Sequence, residues 1–192
     1  MLTYLENYLD LRKSFVFYGA YHHNWKNQVV HVLFVPVIFT TALSFLARLP
    51  IAGGVNVSHL VAAFYAFSFM KMEPVAGALY APVIVVMEYL GSQVLIHHVL
   101  TSIGLHTLGW AAQILAHRVA EGRQPAFTED PLQAVHAAVF FVWLEVLFLL
   151  GYRPAEKAEL NKLIKKRIAK MNALEAAGRA PTTKVTPNKR RS

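Results

Sequence analysis

The sequence predicts an all-α fold, a polytopic membrane bundle of about four spanning helices with amphipathic interfacial helices beside them. Three observations predict it. Hydrophobic residues fill 55% of the 192 positions and charged residues only 16%, a greasier balance than soluble domains show. The apolar residues fall in long runs separated by Pro, Gly and polar turn signals. The charge is segregated: positions 153–192 carry a formal +9 and the 152 before them −1. A basic tail behind an apolar body marks the cytosolic side of a membrane, so membrane lipid is an expected partner and nucleic acid is not. The absence of cysteine excludes disulfides, thiolate metal sites and a cysteine nucleophile. Any metal is then held by nitrogen and oxygen.

Residues 1 to about 20 read as an amphipathic helix that Gly19 breaks. Its charges, Glu6, Asp10, Arg12 and Lys13, interrupt any continuous apolar core, so no cleavable leader is expected. Tyr21–Asn27 is polar and aromatic without apolar periodicity, as a turn at a membrane approach would be. Val29–Ala47 is a strong spanning candidate, with Pro36 tolerable inside it. A loop with Pro50 and Gly53-Gly54 follows, and its Asn56-Val57-Ser58 glycosylation match reads as incidental. Val57–Met70, short for a crossing, and Val75 to about Leu100 form a tight hairpin around Lys71–Pro74. Asp130-Pro131 starts the last spanning candidate, Ala134–Leu150, which carries Glu145. Residues 154–178 read as a basic amphipathic helix suited to an anionic surface, and 179–192 as a disordered basic tail. Four crossings place both termini in the cytosol, given Arg12, Lys13 and Lys26 at the amino end.

Most of the unusual polar residues lie between His106 and Pro125. On a helix His106, Trp110, Gln113 and His117 fall at i, i+4, i+7 and i+11, one stripe that Glu121 extends. Such a stripe looks like the wall of a site. Nine histidines are present. His59, His97, His98 and His136 sit at segment ends, where an interfacial, structural role suffices. His22, His31, His106 and His117 stand out, and His31 lies inside a spanning helix, where an ionisable residue is costly. Imidazole suits iron, zinc, copper and nickel.

Spacing constrains a shared ion. His22 and His31 meet only if the chain turns between them. His106 and His117 are ~16 Å apart in rise on an unbroken helix, so they share an ion only if the helix breaks between Gly104 and Trp110 or starts there without helical structure. Otherwise His117 with Glu121, at i and i+4, is the better ligand pair. Glu88 and Glu145 are intramembrane acids that either orient ligands or satisfy neighbouring helices.

Tyr21-His22-x4-Asn27-x3-His31, followed by apolar residues and Pro36, resembles the start of the Mpo1-like family. His106-x2-Gly109-Trp110-x2-Gln113 and His117-x3-Glu121-Gly122-Arg123-x-Pro125-Ala126 resemble its central signature, and Phe140–Glu145 with Gly151-Tyr152 its closing helix. The resemblance covers roughly residues 4–153 and leaves the tail outside. Arg118 and Phe127 depart from the small and aliphatic residues usual there. The resemblance implies a multi-pass enzyme of the endoplasmic reticulum membrane: an iron(II)-dependent dioxygenase that shortens 2-hydroxy long-chain fatty acids by one carbon, with release of CO2, during phytosphingosine degradation. It implies Fe(2+) held by His22, His31, His106 and His117, with a 2-hydroxy fatty acid and O2 as reactants. Lys26, Arg118 and Arg123 are then the candidates for binding the carboxylate, and Asn27, Gln113 and Glu121 for orienting ligands or the 2-hydroxyl. The alternative is a non-catalytic membrane protein that binds lipid or acts as a scaffold, its histidines structural.

Overall fold

In a computed structural model, which describes residues 8–122, 124–128 and 130–178, seven α-helices and one small hairpin are present. Helix α1, Leu11–Tyr21, is capped by Asp10, which accepts from Lys13 N at 3.0 Å. Gly19 does not break it. A Cβ there would lie 2.4 Å from Ile164 Cδ1, so the glycine is where a neighbouring helix comes closest. The break comes at His22–Asn24, and the Asn24 side chain then caps α2, Trp25–Leu46. Strands β1 (Pro50–Ala52) and β2 (Val55–Asn56) pair around Gly53-Gly54, whose φ values of +57° and +79° suit a tight turn that L side chains resist. Asn56 caps α3, Val57–Met72, in a reciprocal box with His59. That engagement gives Asn56 a structural use unrelated to glycosylation.

Glu73 caps α4, Pro74–Tyr89, which continues through a widened π turn (Leu90–Val94) and a 3₁₀ turn (Leu95–His97). Helix α5, Val99–Ala116, runs on into a second π turn, His117–Glu121, closed by Gly122 at φ +64°. Asp130 and Pro131 start α6, Pro131–Leu149, as expected, and α7 covers Pro154–Ala176.

Among the described residues four stretches are long and apolar enough to cross a membrane: Trp25–Leu46, Pro74–His97, Val99–Glu121 and Pro131–Leu149. Val99–Glu121, which contains the polar stripe, is one of them, whereas α3 is shorter, at 16 residues. The stripe occupies only one face. The others present Leu100, Leu108, Leu115 and Val119 to the surroundings, an exposure that an apolar solvent satisfies.

Helices α2 and α5 pack antiparallel. Ser44 Oγ bonds Ser102 Oγ and Arg48 bonds the Ile96 carbonyl at one end, while Asn27 meets His117 at the other. Helices α3 and α4 form the predicted hairpin. A Cβ on Gly77 would sit 2.5 Å from Met70 N, so the two backbones nearly touch. Helix α6 carries much of the core: Phe140 stacks on Phe69 at 4.5 Å, and Phe141 and Leu144 are fully buried. The helix expected at 154–178 is present, but its apolar face is not left for lipid. Leu160, Ile164 and Met171 are buried, Met171 clustering with Phe17, Ala20 and Tyr21 of α1. The expected disordered tail, 179–192, lies outside the described residues.

Candidate metal centre and its cavity

Three chain segments bring three histidines together. His22 ends α1, His31 lies in the second turn of α2, and His117 opens the π turn after α5. Their ring centroids are 4.3 Å (His22–His31), 4.7 Å (His22–His117) and 5.0 Å (His31–His117) apart. One ring nitrogen from each lies within 4.8 Å of the others, and all three residues are buried. Ligands ~2.1 Å from one ion are at most ~4.2 Å apart, so the group is of a size to close on an ion. The turn at His22–Asn24 supplies the reversal that the spacing of His22 and His31 requires.

The rings are held for the task. His22 Nδ1 donates to the Tyr18 carbonyl at 2.8 Å and His31 Nδ1 to the Asn27 carbonyl at 3.0 Å. That leaves Nε2 of each as a lone-pair donor, the arrangement that fixes metal-binding imidazoles. Burial, with His31 and His117 close by, holds His22 well below the usual imidazole range and keeps it neutral.

A second ring of polar contacts ties the segments together. Asn27 Nδ2 donates to the Tyr21 carbonyl (3.3 Å) and Glu121 Oε1 (3.2 Å) and lies 3.5 Å from His117 Nδ1. Glu121 Oε1 also accepts from Asn24 N at 2.8 Å, and Asn24 Nδ2 donates to the Ala120 carbonyl. Gln28 Nε2 bridges the His22 carbonyl (2.9 Å) and Glu145 Oε1 (3.2 Å). Glu121 therefore pins the loop between α1 and α2 onto the π turn, instead of forming a ligand pair with His117. The π turn spaces the two residues differently from an α-helical i, i+4 pair.

The structure does not bring His106 to this group. The predicted break between Gly104 and Trp110 is absent; α5 is continuous from Val99 to Ala116, which leaves His106 ~16 Å below His117. Both its ring nitrogens are engaged. Trp110 Nε1 donates to Nε2 at 3.0 Å, which makes Nδ1 the protonated nitrogen facing Thr41 Oγ1 at 2.8 Å. Lys26 is exposed beside the Trp25 ring and Arg118 is exposed; neither lines the cavity described below. Arg123 lies outside the described residues. Gln113 is buried and does line that cavity. His136, expected at headgroups, is buried instead, its Nε2 2.8 Å from Ser68 Oγ. Glu88 accepts from Ser58 Oγ and lies 3.7 Å from His59.

A cavity of about 190 Å³ opens from the three histidines and runs between α2, α3 and α6, many times the ~10–15 Å³ that one buried water needs. His31, Val35, Ile38, Ala42 and Leu46 form one wall along α2, a stripe ~22 Å long. Its other walls are mostly aliphatic and aromatic. Near the histidines three buried polar atoms have no partner among the described residues: Tyr18 Oη, Asn27 Oδ1 and Gln113 Nε2. Tyr18 stacks on the His22 ring at 4.0 Å, and burial, with Glu145 and Glu121 nearby, pushes its phenol well above its usual range. Sequence reasoning missed Tyr18 and Gln28. The signal for both was position, Tyr18 one helical turn before His22 and Gln28 beside Asn27.

Buried neutral nitrogens converging on one point, beside polar atoms that lack partners and at the head of an apolar channel, fit a metal with open positions and an amphiphilic ligand. The family described as 2-hydroxy-palmitic acid dioxygenase Mpo1-like matches residues 8–150. A Saccharomyces cerevisiae protein named 2-hydroxy-palmitic acid dioxygenase MPO1 is 35% identical over 164 residues, 81% of this chain and 90% of its own length. No solved structure matches. The chain belongs to the Mpo1-like family.

Proposed function

We propose that this protein is an iron(II)-dependent dioxygenase that shortens 2-hydroxy long-chain fatty acids by one carbon. The observation that carries the reading is the buried group of His22, His31 and His117 at the head of the apolar cavity. The name of the yeast relative supplies the substrate class. In the overall reaction one O2 is consumed and the C1–C2 bond breaks. C1 leaves as CO2, C2 becomes the new carboxyl carbon, and one water completes the balance.

His22, His31 and His117 would hold the ion. Oxidation by O2 calls for a redox metal, which favours iron over zinc among the metals that imidazole suits. When bound, iron supplies the O2 chemistry. The chain's own residues do the rest. The carbonyls of Tyr18 and Asn27 fix the tautomers of His22 and His31. Asn27 and Glu121 hold the loop that carries His22 against the π turn that carries His117. The wall from Val35 to Leu46 excludes water and takes the acyl chain. The protein is then a multi-pass protein of the endoplasmic reticulum membrane, with both termini in the cytosol and a role in phytosphingosine degradation.

The scaffold alternative makes the histidines structural. His136 illustrates that role, a single buried ring bonded to Ser68 among Tyr65, Phe69 and Phe64. Three rings turned toward one another beside unpartnered polar atoms favour the enzyme. The test is O2 uptake by purified protein with 2-hydroxyhexadecanoic acid, before and after iron removal and add-back. Uptake should require both iron and the 2-hydroxyl and yield the acid one carbon shorter. Substrate-independent uptake, or full activity in a folded His117→Ala protein, would sink the reading.

A further inference from the structure

Each of the three clustered histidines has a polar residue four positions before it: Tyr18 before His22, Asn27 before His31, Gln113 before His117. At that spacing two helical side chains share a face. All three polar residues are buried, at 2%, 0% and 8% exposure, and each carries one buried polar atom without a partner among the described residues. Leaving such an atom unsatisfied is costly, and one that faces a cavity calls for a ligand.

The three are not equivalent. Helix α2 runs opposite to α5, so the turn before His31 lies outward, toward Glu121, while the turn before His117 lies inward. Accordingly, Tyr18 and Gln113 line the cavity and Asn27 does not. On the cavity side the unpartnered atoms are a phenol O–H and an amide N–H. Both donate hydrogen bonds, and no lysine or arginine among the described residues lines the cavity with them.

We propose that Tyr18 Oη and Gln113 Nε2 form a neutral donor pair that binds the carboxylate of the fatty acid. This rests on the function proposed above and assigns the head-group site to residues other than the exposed Lys26 and Arg118. A carboxylate offers about four acceptor sites and no donor, which matches two donors better than a hydroxyl does. Donation to an anion inside an apolar cavity gives charge-assisted hydrogen bonds, roughly twice as strong as neutral ones. The wall below them receives the chain.

The test uses full-length iron-loaded protein with Tyr18→Phe and Gln113→Leu, singly and together, and Gln113→Glu as a variant that keeps the shape of the side chain. Five quantities are read: iron per chain, KM and kcat for 2-hydroxyhexadecanoate, and the Kd values of hexadecanoic acid and of hexadecan-1-ol. Wild type should prefer the acid. Each single variant should weaken acid binding and raise KM roughly tenfold or more, with Gln113→Glu weakening them further, while alcohol binding and iron content stay unchanged. Equal losses for acid and alcohol, an unchanged acid Kd, or loss of iron would overturn the donor pair. Turnover with unchanged KM in the variants removes the pair and leaves the reaction standing. Loss of the acid preference in the variants, with no O2 uptake even in wild type, does the reverse.

Discussion

Replacing His106 with alanine separates a three-histidine centre from a four-histidine one. The side chain makes two hydrogen bonds, to Thr41 Oγ1 at 2.8 Å and from Trp110 Nε1 at 3.0 Å, and an edge contact with Phe45. Thr41 keeps its bonds to the Val37 and Ile38 carbonyls, but the indole N–H is left without its acceptor. At about 0.5–1.5 kcal/mol net for each bond, the loss is about 1–3 kcal/mol. For a chain of this size that lowers Tm by roughly 2–12 °C. Iron per chain should not change. The assay is metal analysis with thermal unfolding on the same detergent-purified sample, with His117→Ala as the reference. That reference should lose its metal. If His106→Ala strips iron as completely as His117→Ala does, the residue is a ligand and the assignment of its two nitrogens to Trp110 and Thr41 is wrong.

Three further outcomes follow from the packing. Asn27→Leu removes the side chain that links Tyr21, Glu121 and His117, and should weaken metal affinity by about 10–100-fold without unfolding the protein, as read by competition with a chelator. Gly77→Ala places a Cβ 2.5 Å from the backbone of Met70 and should cost about 3 kcal/mol, whereas Gly19→Ala meets a side chain, Ile164 Cδ1 at 2.4 Å and Cγ1 at 2.9 Å, and should cost less, about 1–2 kcal/mol; thermal unfolding orders the two. Ala42→Phe fills the cavity eleven residues beyond His31 and should shift the preferred substrate to shorter chains, seen in the product profile of a mixed-chain assay.

The positions of helices in this chain were legible because their causes are local. Asp130-Pro131, Gly122 and the apolar runs act within a turn or two of where they stand. The meeting of His22 and His31 was legible as a condition, a turn near Asn24, and the turn is there. What failed depends on partners that a linear pattern does not name. A glycine at a helix end looks the same whether it breaks the helix or admits Ile164, as Gly19 does. The apolar face of α7 reads alike against lipid or against α1. The π turn at His117 has no sequence mark that would have moved Glu121 off the ligand pair. His106 carried a motif's expectation, but its surroundings, Trp110 one turn on and Thr41 from another helix, account for both its nitrogens. Tyr18 was overlooked because an aromatic residue in an amphipathic helix is usually core. Its position one turn before His22, its stacking on that ring and its buried hydroxyl without a partner among the described residues mark it out.

In the proposed centre His22, His31 and His117, and no fourth histidine, hold one iron with positions left open for substrate. X-ray absorption at the iron edge of loaded wild-type protein tests it most directly. The prediction is three imidazole nitrogens at ~2.1 Å, with additional oxygen ligands that change when 2-hydroxyhexadecanoate is added. Four imidazoles, or a first shell that the substrate leaves unaltered, would contradict it.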